Sequence, residues 1–444
     1  MTEATDADRY PTLTPVGEAM LRRLREHPHA PVFRNQSGNR LRPEDIERVR
    51  AFEREVSSDA AVPSLKPPWL AEYVAQCWHD VPYYRKQGNP VPSFDRIEPV
   101  GRADFSRDIA QFVPDSAPID RLIQFNTSGT TGHPLRLASH PVVAANYLAL
   151  HKRALRRFGV ELRAGAGQVG VILVGFQRRS FTYTSVTPTM GECGLAKINL
   201  HPDDWRDPSD RAAYLNDLDA ELLTGDPMSF DELLQLELTV RPRALLSTSM
   251  ALLPGLRARL EARFECPVLD VYSMNEAGPL AVFDATRAGH VLLQPRLYVE
   301  ILGEDLQTVK PGERGEITLT GGFNFCLPLL RYRTGDHASL RSVAGDLVLD
   351  GLEGRPPVRF VTPSGAWLNN IELTHALAPL ALSQFCVHQR ADLGLELSLP
   401  RGAADATRAV RALQALFGST QRVQVRTIDD DADKVVQYTS DVSS

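Results

Sequence analysis

From about residue 120 to 290, short apolar runs alternate with segments of helical periodicity, and this alternation constrains the fold more than any other feature. The run GQVGVILVGF (167–176) is almost wholly apolar, as a strand buried on both faces must be. Further strands are expected over 121–126, at the end of LDAELLTGDP before its Gly-Asp-Pro turn, at ALLSTS and at PVLDVYS. Helices are expected over 142–158, 210–218 and 254–264. Strand, loop and helix repeated in this way imply parallel sheet with covering helices. With 444 residues the chain is too long for one core of ordinary size.

The flanks read differently. Residues 1–120 form a mostly helical lead-in, with helices expected over 15–25 and 42–56. Pro43, Glu44 and Asp45 suit the start of the second, because acidic groups favour a helix N-terminus. Apolar residues recur at helical spacing from Leu70 to Trp78. From about 290 to 352 short strands broken by glycines (VEILG, GEITLTG, LVLDG) predict a β-rich subdomain. GLEGRPP (351–357), with two glycines and two prolines, is the best boundary. It divides a large domain, 1–352, from a small α+β domain, 353–444. In the latter FVTPSG and LGLELSL read as strands, IELTHAL and 404–417 as helices, and RVQVRTI as the last strand. The fold class is α/β: a large N-terminal domain of several subdomains, with mainly parallel sheets and helices, plus the small C-terminal domain.

Composition excludes some partners. A net charge of −6 lacks the basic footprint of a nucleic-acid binder. No stretch of about 18 apolar residues predicts a membrane span. The acidic, polar start lacks a secretory pattern, so a cytoplasmic location is expected. Cys77, Cys193, Cys266, Cys326 and Cys386 are widely spaced, which suits buried thiols in a reducing compartment, and leaves open a zinc site assembled from distant residues.

Four stretches carry chemistry. In FNTSGTTGHP (125–134), four hydroxyl side chains and two glycines fall within six residues, Thr127 to Gly132. Glycine lets successive N–H groups turn toward one anion, and the hydroxyls add donors, so the loop suits a polyphosphate. It lacks the Gly-Lys-Ser/Thr ending of a P-loop. In VLDVYSMNEAGP, Tyr272 suits stacking on a base and Glu276 suits Mg²⁺; a strand end with a capping carboxylate reads equally well. In PLLRYRTGD, Asp336 offers two acceptor oxygens to adjacent sugar hydroxyls, and Arg331 and Arg333 share one face if the segment is a strand. A surface turn with a salt bridge is the alternative. Lys434, the only lysine after Lys310, is a compact charge able to bridge two anions, or a solvated tail charge offset by four neighbouring aspartates.

In this order the stretches resemble the ANL superfamily of adenylate-forming enzymes, and its phenylacetate-CoA ligase branch in particular. VPYYRKQG, NTSGTTGHP, DVYSMNEAG, GERGEITLTG and LPLLRYRTGD carry the resemblance, and GLEGRPPVRF falls where the family has its hinge. The resemblance covers residue 70 to the C-terminus. It implies ATP and Mg²⁺, with CoA as a further cofactor, and a mobile C-terminal domain. Thr127, Ser128, Gly129, Thr130, Thr131 and Gly132 would cradle the β- and γ-phosphates. Ser249 and Met250 would line the adenine pocket, Tyr272 would lie against adenine, and Ser273 and Asn275 would stand beside the phosphates. Glu276 would ligate Mg²⁺ and Asp336 the ribose hydroxyls. Arg355 would approach ribose and phosphate, and Lys434 would be the adenylation lysine. Phe181, Tyr183 and Met190 fall where the family lines its acid pocket, although core positions suit them as well.

The implied reaction is adenylation of a small carboxylic acid, aryl or short-chain, with transfer of the acyl group to CoA or a carrier-protein thiol; the resemblance allows a homodimer. Three departures matter. Ser273-Met274-Asn275 replaces Gly-x-Ser/Thr, Pro356 and Pro357 occupy the swivel of the hinge, and Lys434 follows Asp rather than Gly. Proline fixes φ, so a stiff hinge points to an altered second step: delivery of the activated acid, or nitrite, to an amine, or nucleotide binding without thioesterification.

Overall fold

The computed structural model describes residues 5–57, 66–126, 135–177, 180–353, 358–377 and most of 379–442 (all but 381, 383, 404 and 429–436). At its centre is a parallel run of strands in the order Cys193–Asn199, Val169–Gly175, Leu222–Gly225, Ala244–Ser247 and Val268–Met274. Tyr183–Thr187 closes one edge antiparallel. On the other side Gly278–Asp284, Gly289–Leu292, Asp346–Glu353, Leu329–Val343, Arg314–Gly321 and Leu297–Leu302 continue the sheet antiparallel. This is the expected α/β architecture, with the parallel core extended into the β-rich subdomain as one continuous sheet.

Both faces of the parallel run are buried because successive side chains point to opposite sides. Ile172, Val174, Ala196, Ile198, Leu223 and Leu245 pack with Met20, Leu24, Tyr214, Leu218, Phe230, Leu256 and Leu260, which come from the helices Pro15–Arg25, Asp210–Leu218, Pro227–Leu233 and Pro254–Phe264. Val171, Leu222, Ala244, Leu246 and Leu269 pack on the opposite face with Ala154 and Leu155 of the helix Pro141–Arg157. Each fully buried Leu or Ile contributes about 1.5–3 kcal/mol.

Local chemistry sets the helix ends. The Thr14 hydroxyl accepts from the Val16 N–H and Pro15 occupies the first turn. His140 caps Pro141–Arg157 in the same way. At the far end Arg157 donates to Asp284 at 2.7 Å and to Asp346 at 2.6 Å, which ties the helix to two antiparallel strands.

The C-terminal unit has its own sheet, in the order Val423–Thr427, Leu395–Leu399, Cys386–Gln389 and Tyr438–Ser440, and its own core with the helices Asn370–Leu377 and Ala406–Phe417. Here the expectation that RVQVRTI is the last strand is corrected. Tyr438–Ser440 follows it and pairs parallel to Cys386–Gln389. Three residues carry no visible period, so only long-range pairing reveals them as a strand. Leu253 of the large domain is buried in the same cluster.

Candidate active site

The parallel strands end on one side of the sheet, at Gly175, Asn199, Gly225, Ser247 and Met274. Ligands of open α/β sheets bind in the crevice beyond such carboxyl ends. Tyr272 and Asp336 meet there: the phenol donates to Asp336 Oδ2 at 2.6 Å. Asp336 does not follow a strand but lies inside one, Leu329–Val343, where the register shifts against Arg314–Gly321. Gly335 takes φ +80°, and its N–H donates to Glu316 Oε1 at 2.9 Å. The Thr334 hydroxyl accepts from the Asp336 N–H at 3.0 Å and donates to the Ile317 carbonyl at 2.9 Å. The bulge therefore aims Asp336 at Tyr272. Burial, then the Asp336 carboxylate, pushes the Tyr272 phenol well above its ordinary pKa, so it remains a donor.

Glu276 is buried, at 4% exposure, in the tight turn between Val268–Met274 and Gly278–Asp284. Its Oε1 accepts from the Tyr332 hydroxyl at 3.2 Å and faces Arg102 Nη1 at 3.6 Å. Val100 pairs parallel with Tyr332, which delivers Arg102 from the lead-in, and Phe105 stacks on the Tyr332 ring at 4.8 Å. Among the described residues Oε2 of Glu276 makes no hydrogen bond, and no group of three or more His, Cys, Asp or Glu converges anywhere. One carboxylate with an uncommitted oxygen fits Mg²⁺, which takes its other ligands from phosphate oxygens and water. The next turn residue but one, Gly278, has φ +71°, and a Cβ there would lie 2.6 Å from Phe323 Cζ. Tyr147 covers the turn, its hydroxyl donating to the Asn275 carbonyl at 3.4 Å.

The other expected residues distribute as follows. Ser249 is exposed at φ +72° just beyond Ala244–Ser247, and Met250 beside it is half-buried. Ser273 is half-buried in its strand and Asn275 exposed in the turn. Tyr183 lies half-buried on the edge strand, its phenol pushed up to about 12 by burial. Phe181 is 51% exposed with its ring 5.7 Å from that of Tyr183, whereas Met190 is buried with Ala164 and Cys193. Thr127 to Gly132, Arg355, Pro356, Pro357 and Lys434 lie outside the described residues. Arg331 and Arg333 do share a face, and carboxylates on that face take both: Glu300 at 2.9 Å and Glu316 at 2.6 Å. Arg102, Tyr147 and Tyr332 escaped the sequence reading. Tyr332 stands within a recognised motif, but nothing local marks Arg102 or Tyr147.

A family model described as AMP-binding enzyme matches residues 89–325, more than half of the chain. Among curated proteins none matches. Among solved structures the chain is similar to 2-hydroxyisobutyryl-CoA ligase in the postadenylation state with R3-HIB-AMP, at 16% identity and a TM-score of 0.61, covering 89% of this chain and 90% of that one. It is also similar to an open conformation of that ligase with 2-HIB-AMP and CoA, at 17% identity and a TM-score of 0.53, covering 83% and 89%. At these identities the likeness is one of fold. Motif order, fold and the family match agree: the chain belongs to the family of AMP-binding enzymes, the adenylate-forming ANL group that its motifs resemble.

Proposed function

We propose that this enzyme couples a small carboxylic acid, aryl or short-chain, to AMP at the expense of ATP, and passes the acyl group to CoA or a carrier-protein thiol, as a phenylacetate-CoA ligase-like member of its family. The observation that carries the reading is the Tyr272–Asp336 hydrogen bond of 2.6 Å beside a buried Glu276, at the carboxyl ends of the parallel strands. Asp336 accepts both ribose hydroxyls, and Tyr272 holds that carboxylate in place while its ring lies against adenine. Ser249 and Met250 line the other side of the base, with Ser273 and Asn275 toward the phosphates. Thr127, Ser128, Gly129, Thr130, Thr131 and Gly132 cradle the β- and γ-phosphates.

A carboxylate is already ionised at neutral pH, so the attack on the α-phosphorus needs no general base. The bond formed joins the carboxylate oxygen to that phosphorus, and the bond broken releases pyrophosphate. Both reactants are anions, so the chain contributes position and charge. Lys434 bridges the acid and the α-phosphate, and Arg355 approaches the ribose and phosphate. Glu276 holds Mg²⁺, which supplies neutralisation of the phosphate charge.

The test is acid-dependent ATP–pyrophosphate exchange across aryl, short aliphatic and amino acids, with nitrite included. Exchange with one class, lowered about 10²–10³-fold in Lys434→Ala, is the expected result. Release of ADP in place of AMP sinks the reading. The adjacent prolines Pro356 and Pro357 favour a second reading, in which the activated acid or nitrite is delivered to an amine and the turnover with CoA is slow. Acyl-CoA formation at tens per second excludes it.

A further inference from the structure

One row of side chains crosses the sheet beneath the helix Pro141–Arg157. Register pairs Tyr183 with Lys197, Lys197 with Leu173, Leu173 with Thr224, and Thr224 with Leu246. Directly paired residues point to the same face. Leu246 is buried against Ala154 and Leu155 of that helix, and Leu173 packs on the same cluster. The row thus alternates Leu246, Thr224 and Leu173 before it ends on the polar pair Lys197 and Tyr183 at the sheet edge. It lies two residues short of the carboxyl end of Cys193–Asn199, on the helix face that also carries Tyr147 over the Glu276 turn.

Lys197 is the unusual member. It is half-buried, and among the described residues it makes neither a hydrogen bond nor an ion pair. Burial lowers its pKa, and Asp226 opposes that shift from a distance too long for an ion pair. Asp226 is itself engaged as a helix cap, accepting from the Ser229 N–H at 2.8 Å and its hydroxyl at 2.9 Å. Its neighbours in the sheet, Leu173 on the paired strand and Leu195 two residues earlier, are apolar. A half-buried ammonium with no direct protein partner can take an anionic one, and a charge-assisted pair is the strongest hydrogen bond open to it.

We propose that Lys197 receives a second carboxylate at the far end of the acid, so that the preferred substrate is a small dicarboxylic acid. This rests on the adenylation reading above. One carboxylate attacks ATP while the other pairs with the Lys197 ammonium, with Tyr183 beside it on the edge strand. A purely structural lysine, its stem covering Leu173 and its head in solvent, is the competing account.

The experiment compares kcat/KM for ATP–pyrophosphate exchange with matched pairs: butyrate and succinate, pentanoate and glutarate, benzoate and isophthalate. The wild type should favour the diacid of at least one pair. In Lys197→Met the diacid-to-monoacid ratio should fall about ten- to hundredfold, the effect of losing one charge-assisted hydrogen bond. Lys197→Arg, which keeps the charge and guards against misfolding of the first variant, should retain a diacid preference. Wild-type preference for every monoacid overturns the proposal, as does an equal fall for both members of each pair in Lys197→Met. Exchange with monoacids alone leaves adenylation standing and removes this inference. No exchange with any acid removes both.

Discussion

The Tyr272 hydroxyl donates to Asp336 Oδ2 at 2.6 Å across 64 residues of chain, and joins the end of the parallel sheet to the bulge of the antiparallel one. If that carboxylate holds the ribose, Asp336→Asn raises KM for ATP about ten- to hundredfold, as expected for a hydrogen bond to a charged group. Tyr272→Phe, which leaves Asp336 its Thr334 support, costs less. The raised phenol pKa has a sign that can be checked: Tyr272 keeps its proton near pH 10.0, where free tyrosine is half ionised. Ultraviolet difference titration of wild type and Tyr272→Phe should therefore coincide through that range. Unchanged KM in Asp336→Asn rules out the ribose role.

Glu276 presents one oxygen to Tyr332 and Arg102, and its other oxygen makes no hydrogen bond among the described residues; in the proposed role that second oxygen takes Mg²⁺. Glu276→Gln retains the shape and removes the charge. The expected loss is on the order of 10²-fold in exchange rate, with a rightward shift of the Mg²⁺ dependence. A variant with a lower rate but an unshifted Mg²⁺ curve points to a structural carboxylate.

Gly278 has φ +71°, and an added Cβ would meet Phe323 at 2.6 Å. Gly278→Ala should destabilise the protein by about 1–3 kcal/mol, through backbone strain and overpacking together. Phe323→Leu in the same chain relieves only the second part. Thermal melts of the single and double variants separate the two contributions.

Arg331 and Glu300 form a buried pair at 2.9 Å, with side chains 3% and 1% exposed, and Arg331 also donates to the Ile97 carbonyl at 2.7 Å. Arg331→Met strands a buried carboxylate and should cost about 3–5 kcal/mol. Adding Glu300→Leu should recover most of that loss in urea titrations. Equal stability of the single and double variants contradicts this account.

Burial raises every cysteine thiol, to about 12 for Cys77 and Cys266 and to about 11 for Cys193, Cys326 and Cys386. A raised pKa means less thiolate, the nucleophilic form, so alkylation at pH 8 should be slow in the native protein and rapid in urea. Mass spectrometry at timed intervals reads this directly. Rapid native labelling of any one cysteine identifies a thiol exposed by motion.

The helices Pro15–Arg25, Asp210–Leu218 and Pro254–Phe264 were legible to the residue, because helical period and the residues that start and stop a helix are local in sequence. The buried strands showed as apolar runs for the same reason. Tyr438–Ser440 was not legible, since its only support is the parallel partner Cys386–Gln389. Nor was the bulge at Asp336: the Thr-Gly-Asp string reads as a turn, and only pairing with Arg314–Gly321 shows that the strand continues through it.

What the sequence alone determined is therefore the α/β class, the order of the motifs and the family they resemble, because these depend on short-range periodicity and on residue types in a line. The tertiary structure decided which side chains meet. Arg102 reaches Glu276 from 174 residues away, and Lys197 shares a row with Tyr183 and Thr224. Such meetings arise from strand order and register, and a register is set only when distant strands bury their faces together.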